Sequence, residues 1–177
     1  MSRRNIRLVT PCAAAIVSFG VTNTAGAVDL RDWGRQLAAS ERFAVLATFD
    51  NEAVLDKETQ LVWQRTPSAA KGDWYQAFTS CLSQGIGGRR GWRLPRFEEL
   101  VSLQAKNASG AYVLPAGHPF LNLQSPQLLW TATTFPNPQY IITAAAVYLI
   151  GSGSYYYSKT TELSYLCVRG GDGSDGR

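Results

Sequence analysis

The chain has little of what most catalytic sites are built from. Among 177 residues there is one histidine, His118, and there are three cysteines. Zinc recruits several His or Cys ligands, so His118 reads as a loop residue that packs or hydrogen-bonds. No Asp or Glu occurs between Leu100 and Thr161. Hard cations need several carboxylates, so this stretch has no calcium ligand set. Gly85-Ile86-Gly87-Gly88 is not followed by Gly-Lys-Ser/Thr, which excludes a phosphate loop. No Gly-x-Ser-x-Gly marks a nucleophile. Glu98 and Glu99 are neighbours, so on a helix they point about 100° apart and do not bracket one glycosidic bond. They read instead as complements to a helix dipole and as salt-bridge partners. The residues therefore point away from an enzyme, a metal protein or a cofactor protein. A membrane span needs about 18 apolar residues. The apolar run Ala13 to Val21 is broken by Ser18 and Gly20.

What the N-terminus does have is an export pattern. Ser2-Arg3-Arg4-Asn5-Ile6-Arg7 is a basic head, the apolar run comes next, and Ala25-Gly26-Ala27 is a small-x-small cleavage site. A signal peptide over residues 1–27 is expected, with the mature chain starting at Val28. Ser-Arg-Arg-x-Ile resembles a twin-arginine signal, and a Sec signal fits as well. The expected location is the bacterial periplasm or the outside of the cell. Of 17 basic and 13 acidic residues, Arg3, Arg4 and Arg7 leave with the signal, so the mature chain has 14 against 13. The basic balance is then a targeting feature and gives no argument for nucleic acid. Cys12 also leaves, and Cys81 and Cys167 remain. In an oxidising compartment two cysteines read as one disulfide; two buried free thiols are the alternative.

A mature chain of this length fits one domain with its own core. An arm is expected over residues 28–41, where Asp29 to Ala39 could also form a short helix, with the domain over 42–171 and a Gly/Asp/Ser tail over 172–177. Alternation predicts a strand through Phe43, Val45 and Ala47, then a turn at Asp50-Asn51. Ala53-Val54-Leu55 and Leu61-Val62-Trp63 read as a hairpin. Gly72 or Asp73 is placed to cap a helix with Trp74, Phe78, Cys81 and Leu82 on its core side. A second helix starts after Pro95, with Phe97, Leu100 and Leu103 on one face. Residues 104 to 128 read as a long loop. Strands are predicted at Trp130–Thr134, Ile141–Leu149, Ser154–Ser158 and Tyr165–Arg169. The fold class is α+β: two helices and a long loop packed on a small antiparallel sheet.

Several short words occur in order. They are Val54-Leu55-Asp56 with Thr59 and Leu61-Val62-Trp63-Gln64; Trp74, Ala77 and Cys81; Gly91-Trp92-Arg93-Leu94-Pro95 with Glu98-Glu99-Leu100; Pro119-Phe120; Leu129-Trp130-Thr131 with Thr133; and Cys167-Val168-Arg169-Gly170-Gly171. Together, from about Phe43 to Gly171, they resemble the C-terminal domain family of the Legionella collagen-like adhesin, Lcl. The resemblance implies a C-type lectin-like fold, similar also to sulfatase-modifying factors, with a disulfide from a helix to the last strand. It makes Trp63, Trp74, Trp92, Arg93, Pro95 and Trp130 structural motif residues. Two departures stand out. Arg96 occupies the place after Leu-Pro where the family has a helix-capping Ser or Thr, and Gln60 stands where it has Gly before Leu61. There is no collagen-like stalk, so trimerisation of the adhesin type is not implied.

Two stretches are candidate ligand surfaces. Arg89 and Arg90, near Arg93 and Arg96, could clamp sulfates or carboxylates of an acidic polysaccharide; read blandly, Arg93 is structural and the other two belong to an exposed turn. Asn137-Pro138-Gln139-Tyr140 and the segment Gly151-Ser152-Gly153-Ser154-Tyr155-Tyr156-Tyr157-Ser158-Lys159 have the composition of adaptable recognition surfaces. In a strand Tyr155 and Tyr157 face one side and Tyr156 the other; the bland reading is a hairpin using Tyr for strand propensity. Phe135 to Gln139 superficially resembles a lectin sugar loop, but without an acid it reads as a proline-stiffened turn. The expectation is an exported, non-catalytic, adhesin-like module that binds a glycan without calcium, the glycan being acidic or sulfated if the arginines take part. A protein-interaction or structural module of the cell envelope is the alternative. No cofactor, nucleic-acid partner or stable membrane span is expected.

Overall fold

Alternating side chains bury both faces of the two main sheets, and this organises the domain. The computed structural model describes residues 37–123, 126–135, 142–150 and 153–171. The expected signal peptide and the tail at 172–177 lie outside the described residues. Among the described residues there are three α-helices, α1 (Ala39–Arg42), α2 (Trp74–Ser83) and α3 (Phe97–Ser102), where two were expected in the domain. The strands are β1 (Phe43–Val45), β2 (Ala53–Asp56), β3 (Leu61–Gln64), β4 (Trp92–Arg93), β5 (Ala105–Lys106), β6 (Tyr112–Val113), β7 (Leu128–Thr134), β8 (Thr143–Tyr148), β9 (Ser154–Ser158) and β10 (Val168–Arg169). The class is mixed α and β with antiparallel pairing, but there are three sheets, not one. They are β1-β2-β3-β10-β4, β5-β6 and β7-β8-β9.

Successive residues of a strand point to opposite faces. Leu129, Val147 and Leu149 join one core cluster with Val54, Trp63, Leu100, Leu103, Leu166 and Val168. Trp130, Ala144 and Ala146 join a second with Ala77, Cys81, Trp92, Leu94 and Cys167. The three-stranded sheet is thus a partition between the cores, with α3 residues on one side and α2 residues on the other. The small side chains Ala144, Ala145 and Ala146 in its central strand let both layers approach closely. The Cys81–Cys167 disulfide lies inside the second core; it closes a separation of 86 residues with Cα atoms 5.4 Å apart.

Local chemistry explains most element ends. Asp73 caps α2: its Oδ1 accepts the Gln76 N–H at 2.8 Å, and Gln76 Oε1 accepts the Asp73 N–H at 3.0 Å. Arg96 has no acceptor to offer α3, so the cap comes from elsewhere. Glu99 Oε2 takes the Arg96 N–H at 2.8 Å, and Thr133 Oγ1 from β7 takes the Phe97 N–H at 2.9 Å.

Other expectations are corrected. Ala47 opens a 3-10 turn, Ala47–Phe49, and does not extend the first strand; Asp50 and Asn51 come next with φ of 53° and 60°, which reverses the chain. Leu82 is 53% exposed, because Ala77 and Cys81 define the buried side of α2 and Leu82 falls a quarter-turn away. The stretch 104 to 128 is not all loop, since β5 and β6 pair there around a turn in which Asn107 Oδ1 accepts the N–H of Ser109 and of Ala111. The final strand is only Val168–Arg169.

Candidate functional site

The family words resolve into braces of the fold. Asp56 is fully buried, and Arg42 grips it at 2.9 and 2.7 Å. Asp56 also accepts from the Thr59 hydroxyl and the Glu58 N–H, which explains Asp and Thr at that spacing. Gln60 has φ of 60°, a left-handed position that glycine fills without strain. Arg93 pairs with both oxygens of Glu99 at 2.6 and 2.8 Å and donates to the Gly170 carbonyl at 2.7 Å. Gly171 has φ of 105°, and a Cβ there would sit 2.9 Å from Leu61 and 3.3 Å from Glu99. The Trp-Arg-Leu-Pro word, the Glu-Glu-Leu word and the final Gly-Gly are therefore one clamp. Burial raises the Glu99 pKa, but the Arg93 hydrogen bonds, the Arg96 N–H and the two guanidinium charges outweigh it and leave the carboxyl below its ordinary value.

The indoles behave similarly. Trp63, Trp92 and Trp130 are at most 1% exposed. Trp130 Nε1 donates to the Gly72 carbonyl, Trp74 Nε1 to that of Thr131 and Trp92 Nε1 to that of Arg89. Pro95 is buried, and its carbonyl accepts the Ala132 N–H at 2.7 Å. His118 packs on Phe120 at 5.9 Å, and burial holds its pKa below the usual histidine value.

Arg89 and Arg90 are exposed, yet both guanidiniums are engaged. Arg89 Nη1 donates to the carbonyls of Thr48 and Gly87, and its guanidinium lies 4.4 Å from the Phe49 ring centroid. Arg90 Nη1 donates to the Ser83 carbonyl at 3.2 Å, at the end of α2 where cations are favoured. Lys159 lies over Trp74, 4.5 Å from its ring centroid. Trp74 and Ser83 are the two ends of α2, about 14 Å apart along the helix axis. The structure thus separates the arginine candidates from the lysine that sequence groups with the tyrosines.

The tyrosines lie on β9, which among the described residues pairs only with β8 and forms one edge of its sheet. Register places Tyr155 opposite Ala146, Tyr156 opposite Ala145 and Tyr157 opposite Ala144. Tyr155 and Tyr157 share one face and Tyr156 takes the other, as alternation requires. Tyr155 is 51% and Tyr156 52% exposed, while Tyr157 is half-buried. The Tyr157 hydroxyl titrates above the ordinary tyrosine value, through desolvation and the adjoining Tyr148, to which it hydrogen-bonds, and then Tyr155. Tyr156 packs edge-on to Phe135 at 5.1 Å. Asn137 and Tyr140 lie outside the described residues.

A groove runs between α3 and β9. One chamber, of about 120 Å³, is lined by Phe97, Glu98, Thr133, Ser154, Tyr155 and Tyr156. A second, of about 230 Å³, shares Phe97 and Ser154 and adds Val101, Gln104, Tyr112 and Val147. The groove joins aromatic surface, hydroxyls, a carboxamide and one carboxylate. Sequence reading groups Ser154 with the tyrosines but misses Gln104, Tyr112 and Thr133 as site residues, because separate parts of the fold bring them together and no spacing announces it. A wider polar cleft of about 440 Å³ lies between Asn51, Glu52, Gln64, Arg65, Thr66 and Gln84. Among the described residues no group of three or more His, Cys, Asp or Glu could hold a metal, and no helix is long and apolar enough to cross a membrane.

The Lcl C-terminal domain profile matches residues 52–169, about two-thirds of the chain. No curated protein and no solved structure matches it. The matched span runs from the start of β2 to the end of β10 and holds the Arg93–Glu99 pair of the clamp, the disulfide and the buried indoles; Gly170 and Gly171 follow directly after it. On that match, and with its words explained by contacts of the fold, the chain belongs to the Lcl C-terminal domain family.

Proposed function

We propose that this chain is an exported, non-catalytic binding module with a C-type lectin-like fold that recognises a glycan without calcium, through the groove between α3 and β9. One observation carries this reading. Tyr155 and Tyr156 stand about half exposed on an edge strand, directly beside a groove with Glu98, Thr133 and Ser154 in its lining. Aromatic faces suit the C–H faces of sugar rings, and hydroxyl and carboxylate groups suit their hydroxyls. The disulfide supports an extracytoplasmic location, since such bonds persist in oxidising compartments. Recognition of acidic polysaccharide would fall to Arg89 and Arg90, away from this groove.

A second reading, a protein-interaction module of the cell envelope, is favoured by the open edge of β9. Tyr148 N–H donates to the Gly153 carbonyl and Lys159 N–H to that of Ile142. By parity, the backbone groups of Ser154 and Tyr156 point away from β8, available to an added strand. A glycan array of the oxidised mature chain, run with and without chelator, tests the first reading. Binding that survives chelator and is lost in Tyr156→Ala supports it. Silence across the array, with capture of a protein by the wild type but not by Tyr156→Ala, replaces it with the second.

A further inference from the structure

The groove has a sign. Glu98 lines it, and the Glu98 side chain has neither an ion pair nor a hydrogen bond among the described residues. Its neighbour Glu99 is consumed by Arg93. Among the described residues no Lys or Arg lines either chamber. The remaining lining near Glu98 consists of the aromatic residues Phe97 and Tyr156 and the hydroxyls of Thr133 and Ser154. An anionic sugar entering here would meet an uncompensated carboxylate. A cation would meet that carboxylate, which attracts it, beside aromatic rings whose π-systems favour positive charge. The hydroxyls and Gln104 add acceptors that an ammonium N–H can use.

We propose that the groove selects a glycan carrying a free, protonated amine, which it presents to Glu98, with the adjoining sugar lying toward Val101, Gln104 and Tyr112. The inference rests on the glycan reading of the groove and adds to it the charge of the ligand. It assigns Glu98 a binding role beyond its place in the first turn of α3.

The probes are a glucosamine tetramer and its N-acetylated counterpart, titrated calorimetrically into the oxidised chain at low and high salt. Acetylation keeps the sugar and removes the charge. The expected result is tighter binding of the free-amine tetramer, weakened by salt. An exposed ion pair is worth little, so Glu98→Gln should weaken it about two- to fivefold, with partial recovery in Glu98→Asp. Thermal melts of both variants check the fold; Glu98 is exposed, so these should match wild type. Equal binding of the two tetramers, unaffected by Glu98→Gln, overturns the inference and leaves the glycan reading standing. Failure of both tetramers also overturns it, whereas only silence across the whole array overturns the glycan reading.

Discussion

Trp63, Trp92 and Trp130 are sealed in the cores, while Tyr155 and Tyr156 stand half in solvent on an edge strand. Both groups are aromatic, and both lie within the span that the family profile matches. They differ in what surrounds them. The indoles of Trp92 and Trp130 donate to carbonyls of the chain itself, and Trp63 lies between strand neighbours Val54 and Val168. The β9 tyrosines meet chiefly one another, Tyr148 and Phe135. Removing an indole must open the interior; removing Tyr155 or Tyr156 uncovers only neighbours at the surface. The family words mark the first region, and the candidate ligand surface lies mostly in the second.

The sharpest way to break that division is to attack the interior. Replacing Cys81 and Cys167 by alanine should have the largest effect. The chain-entropy account gives roughly 4–5 kcal/mol for so long a loop, read as a shift in the denaturation midpoint. Trp63→Ala should cost about 3–5 kcal/mol by leaving a cavity, measured in the same way. The clamp should reveal itself through pH. The folded pKa of Glu99 lies below its unfolded value, so its contribution is present above the unfolded value, near 4.5, and is lost as pH falls through the folded one. Thermal melts from pH 6 downward should show wild type losing stability across that window and Glu99→Gln losing less of it. A gain of about 1 kcal/mol is expected for Gln60→Gly, which relieves a left-handed side-chain position. Smallest of all, Tyr156→Ala should change stability by no more than about 0.5 kcal/mol while removing glycan binding on the array. A large loss of stability in Tyr156→Ala would erase the contrast.

Local signals are readable in the sequence. Asp73 as a cap, the β2–β3 hairpin, α3 after Pro95 and the span of β9 all come from residues close together in the chain. The disulfide is readable because only two cysteines remain after the expected signal. Arg93 is legible as a motif residue paired with a carboxylate. The failures share a cause. Leu82 looks like core because helical spacing gives a face but not which part of it is covered. The turn at Ala47 depends on the left-handed backbone at Asp50 and Asn51, and the β5–β6 hairpin on the Asn107 side chain. The groove draws its lining from α3, β7, β9 and the β5–β6 region, and no periodicity encodes their meeting.

The place of β10 in the strand order has a consequence in time. The chain's last strand lies between β3 and β4, bonded to both. A chain made from its N-terminus therefore cannot close this sheet, or form the disulfide, until Cys167 and β10 have emerged. Pairings so distant in sequence form slowly.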